Sequence, residues 1–307
     1  MEPTVIGIPR GMLYYRYEAL WKTFFTKLGA EVRVSGPTTR RTAGQGAAVT
    51  IDEACLSLKL YFGHVRELIG ECDTIFIPRV SNFGRNRDMC PRFHAMYDMA
   101  KNIFRDSGQK FLTCNIDVLG GESELKAFMS LGHSLGCPVK STLSAYQAAK
   151  KEDRRVWREK LREQKSLLSR SGLKILLAGH DYLIRDDYIG KPVADFLRRN
   201  GVLYAEAGVV DREAALRRSA ELSPTCRWEF SREIIGGAAM YRDRIDGIIF
   251  LSAFPCGPDA MVNELMLRRT GGLPALNLVL DGQSGVAGIE TRLESFLDII
   301  RFKRGML

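Results

Sequence analysis

The 307-residue chain is 45% apolar and 26% charged, the balance of a soluble globular protein long enough for two α/β domains and too ordered in composition for a disordered one. Its net charge of +9 is spread along the chain and not gathered in one aromatic-laced cluster, so an anionic ligand or acidic partner is expected and a nucleic-acid partner is not. No apolar run approaches the ~20 residues of a membrane span and the N-terminus lacks a signal pattern, so a cytoplasmic location without a membrane partner is expected.

Thr4-Val-Ile-Gly-Ile8 reads as a short buried strand ending at Pro9-Arg-Gly11. Leu13, Leu20, Phe24 and Leu28 fall at helical spacing, with Gly29 as the stop, and Glu31-Val-Arg-Val-Ser35 alternates as a second strand. Strand, helix and strand in so short a span make a βαβ unit and a parallel sheet. The Gly-, Thr- and Arg-rich stretch 36–48 reads as a loop, and Thr50-Ile-Asp-Glu53 as a capping box that starts a helix with Cys55 in its first turns. Asp73-Thr-Ile-Phe-Ile-Pro78 is a further strand, followed by the loop 79–89, a helix opened by Cys90-Pro91, and the strand Lys110-Phe-Leu-Thr-Cys114.

Residues 142–171 read as one long basic helical segment, reaching roughly 38 Å if about 25 residues are helical. The same grammar then restarts: the strand Gly172 to Leu177, a loop with Gly179-His180, a helix Lys191–Arg199, a strand near Val202-Leu-Tyr204, and helical residues 211–244 broken at Ser223-Pro224. The strand Asp246-Gly-Ile-Ile-Phe-Leu251 leads into Cys256 and a helix at Pro258; a last strand, Pro274 to Leu280, leads into a closing helix, 289–302. The expected architecture is two Rossmann-like open parallel-sheet domains, 1–141 and 172–307, facing a cleft and joined by the helical linker 142–171.

Seven cysteines at irregular spacing in a reducing compartment argue against a disulfide framework. Cys55, Cys90 and Cys256 each sit at or near a helix start, where the helix dipole favours a thiolate, and a shared metal site at the carboxyl ends of the strands competes with three separate buried cysteines. Zinc suits the ligand type but lacks its usual Cys-x-x-Cys pairs. Cys72, Cys137 and Cys226 read as structural, and Cys114, at a strand end, as the one further candidate ligand. His94 and His180 read first as hydrogen-bonded residues, His180 having the stronger functional claim from its place at a strand end.

Several of these pieces together resemble one family. They are Ile6-Gly-Ile-Pro-Arg-Gly11; Cys55-Leu-Ser-Leu-Lys-Leu with Gly63-His64; Cys90-Pro91; Gly179-His180; Cys256-Gly-Pro-Asp-Ala260; and Ala287-Gly-Ile-Glu-Thr-Arg-Leu-Glu-Ser-Phe-Leu-Asp298. The chain is similar to the domain that follows the ATPase domain in long 2-hydroxyacyl-CoA dehydratase activases, and more distantly to the iron–sulfur dehydratase subunits. The resemblance implies a 4Fe–4S cluster, or a larger double-cubane cluster, held by Cys55, Cys90 and Cys256, with Lys59 and His64 stabilising the anionic cluster or donating a proton. It also implies a low-potential electron-transfer, reductase or dehydratase-type component in a homo- or hetero-oligomer such as a dimer. An ATP-hydrolysing activase would serve it, and the substrate would be an acyl-CoA or another small molecule.

The sequence departs from the family at Asp281-Gly-Gln283, where Asp-Glu-His often stands, and it contains no phosphate-binding glycine motif. Two alternatives belong to other classes: a non-catalytic scaffold that docks an activase, and a sensor of an anionic metabolite using Arg10 and Arg79.

Overall fold

In the computed structural model, which describes residues 3–282 and 286–305, the chain divides into two compact units. Unit 1 comprises Met1–Asp52, Leu58–Arg158 and Arg227–Glu229, and unit 2 comprises Glu53–Ser57, Glu159–Cys226 and Phe230–Leu307. Both units are therefore discontinuous in sequence.

Unit 1 opens with β1 (Val5–Ile8), α1 (Tyr14–Lys27) and β2 (Glu31–Val34). Gly29, at φ +85°, ends α1 in the left-handed conformation that a side chain resists. The stretch read as a loop contains a helix, α2 (Arg40–Ala47), capped by Thr39, whose side chain accepts from the Thr42 amide while the Thr42 side chain returns the bond. A threonine takes the place of the usual Glu or Gln in that capping box, which is why the sequence pattern hides it. The expected capping box at Thr50 does not form: the Thr50 hydroxyl donates to the Gly46 carbonyl at 2.8 Å, residues 51–55 form a turn, and α3 (Leu56–Leu68) starts after Cys55.

β3 (Thr74–Phe76), β4 (Arg79–Asn82), α4 (Pro91–Ile103), β5 (Lys110–Leu112), β6 (Asn115–Asp117), α5 (Glu124–Ser134) and α6 (Val139–Ser169) follow. The main sheet is parallel in the order β2-β1-β3-β5. β4 and β6 continue β3 and β5 as a separate parallel ribbon. The Ile77 amide donates to Leu112 at 2.8 Å and the Arg79 amide to Cys114 at 2.9 Å, so backbone bonding carries on from one pair of strands to the next across Pro78. An edge-to-face aromatic group, with Trp21 and Phe25 on Phe76 and Phe24 on Phe128, fills the space between the sheet and its helices.

Unit 2 contains β7 (Lys174–Ala178), α7 (Asp181–Ile184), α8 (Lys191–Arg199), β8 (Leu203–Glu206), α9 (Arg212–Leu222), α10 (Glu229–Tyr241), β9 (Gly247–Ala253), α11 (Gly257–Leu267), β10 (Ala275–Leu280) and α12 (Val286–Lys303). Its sheet is parallel in the order β10-β9-β7-β8. In each main sheet the first strand lies between the second and the third, the winding of doubly wound folds. β9 is buried at every residue, as the run of apolar side chains in a central parallel strand requires. Leu176, Ala178, Ile248 and Phe250 pack with Ile234, Ile235 and Val262 of the covering helices.

Each unit is thus an α/β layer around a parallel sheet, the expected fold class. The basic segment expected as a helix or helix pair is one helix, α6, whose 31 residues extend about 46 Å. Among the described residues no helix is long and apolar enough to cross a membrane.

Candidate functional site

In open parallel sheets, ligands gather outside the carboxyl ends of the strands, where the strand order reverses. In unit 2 that point lies between β7 and β9, and the loops leaving these strands carry His180 and Cys256. The β9 loop turns tightly: the Cys256 amide donates to the Ala253 carbonyl at 2.7 Å, and the Phe254–Pro255 peptide bond is cis. Cys256 is the N-cap residue of α11, with Gly257 as the first helical residue and Pro258 the second, where a missing N–H leaves no intrahelical bond unmade.

The segment Glu53–Ser57 belongs to this unit, although it comes from the first fifth of the chain. The Leu56 amide donates to the Phe254 carbonyl at 2.9 Å, laying the start of α3 against the β9 loop. That bond holds Cys55, the residue before Leu56, near enough to Cys256 to raise its thiol. Each precedes a helix N-terminus, so two of the three expected ligands are brought together with the positive ends of helix dipoles behind them.

The electrostatics differ from the sequence expectation of a thiolate at Cys256. Burial pushes the thiol well up, the Asp259 carboxylate and Cys55 push it further, and the Asp259 backbone amide offsets only part. A protonated thiol is the form this environment favours by itself, because the dipole of an eleven-residue helix competes with desolvation and a neighbouring carboxylate. A bound cation would reverse that balance.

Asp259 belongs to the Cys256-Gly-Pro-Asp-Ala260 motif and has no role legible from sequence alone. It sits in the first turn of α11, three residues after Cys256, and its Oδ1 lies 2.8 Å from Nε2 of His180, both side chains being buried. Burial works against charge on His180, and the Asp259 carboxylate, with Asp181 and Glu233 beyond it, outweighs this and raises the imidazole. Tyr182 stacks on the His180 ring at 4.9 Å. The pair ties the β7 loop to the β9 loop across the switch point. Only the acidic residue in a helix's first turn marked Asp259 in sequence; its partner stands 79 residues away.

Cys90 lies in unit 1 as the N-cap residue of α4, with Pro91 behind it. Ahead of it, one face of the β4–β6 ribbon carries Arg79 and Ser81. Arg79 Nη2 donates to His94 Nε2 at 3.0 Å and Ser81 Oγ lies 2.5 Å from His94 Nδ1, so His94 carries its proton on Nδ1 and donates to the serine. Arg79 also pairs with Asp98 at 3.1 Å, and the Arg10 amide donates to Ser35 Oγ at 2.8 Å.

Lys59 donates to the Asp52 carbonyl at 3.0 Å and so holds the turn ahead of Cys55. His64 is fully buried in unit 1, with Nε2 2.9 Å from Thr38 Oγ1 and Nδ1 3.5 Å from Glu67. It fixes the approach to α2 on α3. Cys114 is buried and its thiol is pushed strongly up by that burial. Cys72 and Cys137 donate to the carbonyls of Leu68 and Leu135, and Cys226 is half-buried in unit 2. Within either unit, no group of three or more His, Cys, Asp or Glu side chains among the described residues is arranged to hold a metal ion. The turn position Gln283 lies outside the described residues.

The chain matches the family described as CoA enzyme activase uncharacterised domain (DUF2229) over residues 5–207. It belongs to that family. The family match accounts for the resemblance read from the motifs and ties the chain to CoA-enzyme activases. No curated protein matches the chain. Among solved structures, the SBP FpvC of Pseudomonas aeruginosa in complex with Mn2+ is similar at 13% identity and a TM-score of 0.31, with 98% of each chain covered. The laminin-binding adhesin Lmb of Streptococcus agalactiae is similar at 13% identity and a TM-score of 0.31, with 100% of each chain covered.

Proposed function

We propose that this chain is an iron–sulfur component that works with an ATP-hydrolysing activase, passing low-potential electrons to a small-molecule substrate such as an acyl-CoA in a reductase or dehydratase-type reaction. The observation that carries the reading is the placement of Cys55 beside Cys256 by the Leu56–Phe254 backbone bond, in a member of a CoA enzyme activase family.

The donor chemistry fits such a group. Two thiols precede helix N-termini on segments joined by the Leu56–Phe254 bond, and partial positive charge there would offset the negative charge of a cluster. The pair needs a third thiolate from outside unit 2, and Cys90, in the same N-cap setting in unit 1, is the residue proposed to supply it. When bound, a cluster held by three cysteines supplies one-electron chemistry and leaves one iron open. Around it the chain's own residues have structural work: the His180–Asp259 pair locks the two switch-point loops, and Lys59 steadies the turn that leads into Cys55.

The test is iron and acid-labile sulfide content of protein purified without oxygen, with its visible absorption. Cys55→Ala, Cys90→Ala and Cys256→Ala each lose the cluster, while Cys226→Ala retains it. Full iron and sulfide in folded Cys256→Ala overturns the reading.

A further inference from the structure

A cavity of about 360 Å³ runs along the open edge of the unit 2 sheet, between β8 and the carboxyl half of α6. Its chemistry is separate from the cysteine site. Four cationic side chains line it, Lys160 and Arg170 of α6, Arg185 after α7 and Arg198 of α8, against two carboxylates, Glu163 and Glu206. The Glu206 carboxylate is already engaged: Arg185 donates to its Oε2 through Nε at 3.1 Å and Nη2 at 2.9 Å. Lys160 also acts on Glu206 electrostatically. Arg198 also pairs with Asp195 beside the cavity, so four cations face three carboxylates and the excess is one positive charge.

The floor is pre-formed. Gln164 reaches across to the edge strand, donating to the carbonyls of Glu206 at 2.9 Å and Val209 at 2.7 Å and accepting from the Glu206 amide at 2.8 Å. Its side-chain amide thus takes the place of a neighbouring strand and leaves the groove beside it free of unpaired edge groups there. Leu167, Val202 and Leu203 supply apolar wall, and the Tyr204 ring lies 5.3 Å from the Arg198 guanidinium, which also donates to its hydroxyl at 2.7 Å.

We infer that this cavity binds a small organic phosphate. Guanidinium forks match phosphate oxygens in pairs, and several converging cations favour a dianion over a singly charged carboxylate. The apolar wall and the tyrosine ring take the ester group. The volume stands near the low end of ligand pockets, about 300–1,000 Å³, so a compact monoester fits and a dinucleotide-sized cofactor does not.

Calorimetric titration of the full chain with phenyl phosphate, inorganic phosphate and benzoate tests this. Phenyl phosphate should bind more tightly than either of the others, and the Lys160→Gln/Arg198→Gln double variant should weaken it at least about tenfold. That variant leaves the Arg185–Glu206 pair intact; if it fails to fold by circular dichroism, single Lys160→Gln should still weaken binding measurably. No heat from phenyl phosphate, equal binding of benzoate, or unchanged affinity in the folded variants overturns the inference.

Discussion

His180 Nε2 stands 2.8 Å from Asp259 Oδ1, a buried contact joining the loop after β7 to the first turn of the helix that carries Cys256. Removing one member leaves the other buried and uncompensated. Asp259→Ala should therefore destabilise unit 2 by about 3–5 kcal/mol, read from urea unfolding. The sign with pH follows from the raised imidazole. A histidine whose folded pKa exceeds its unfolded value of about 6.5 contributes stability that is complete below that value and is lost as pH rises through the folded pKa. The gap between the native protein and His180→Gln should be wider at about pH 5.5 than at about pH 9. An equal gap at both would show that the pair carries no charge.

Glu229 is fully buried in unit 1, and Arg87 holds both its oxygens, Nε at 3.0 and 3.1 Å and Nη2 at 2.7 Å. Backbone bonds of 2.9 and 2.8 Å run beside it, from Asp88 to Arg227 and from Glu229 to Asp88. Arg87→Ala should cost about 3–5 kcal/mol and release the segment 227–229, seen as faster proteolysis near Ser223–Arg227. Arg87→Lys should recover only part, because a point charge does not replace a two-pronged donor. Unchanged cleavage in Arg87→Ala would refute the anchoring role.

Gly46 and Gly63 let α2 lie on α3 at backbone distance. A β-carbon on Gly46 would stand 1.7 Å from the Lys59 carbonyl oxygen, and one on Gly63 would stand 2.1 Å from the Thr42 carbonyl oxygen. Alanine at a helical glycine ordinarily adds about 1 kcal/mol of stability. Here the clash dominates, so Gly46→Ala should lower the melting temperature of the protein and loosen the His64–Thr38 contact beneath it. A raised melting temperature would contradict the close crossing.

The cysteines should differ sharply in reactivity. Cys114 is buried and its thiol is held protonated, so in the metal-free native protein it should react with iodoacetamide only on unfolding. Peptide mass spectrometry after timed labelling reads this directly. Cys226 and Cys137, half-buried, should label far earlier. Labelling of Cys114 at the rate of those two would count against the packed β5–β6 core.

Most strands announced themselves in sequence because central parallel strands are continuous apolar runs: β7 and β9 could hardly be read otherwise. α8 was equally plain, with Val193, Ala194, Phe196 and Leu197 on one face. The short elements were harder. α2 has two glycines and a threonine among its eight residues and no apolar side chain larger than alanine, so no hydrophobic period marks it. β6 is three residues long, too short for a hydrophobic pattern to mark it. The site was legible in its residue types and illegible in its pairing. Cys55 and Cys256 were marked by their helix starts, whereas the His180–Asp259 bond and the departure of Glu53–Ser57 from its sequence neighbours are long-range facts.

The placement of Glu53–Ser57 also bears on how the protein is made. The backbone bond from Leu56 to Phe254 cannot form until β9 has been synthesised, so unit 2 must wait for most of the chain before its cysteine pair assembles. A fragment beginning near residue 172 would carry Cys256 but neither its partner thiol nor the α6 segment that closes the β8 edge. Maturation of the site is therefore tied to completion of the polypeptide, and early release of a truncated chain leaves no half-built pair exposed to oxidants.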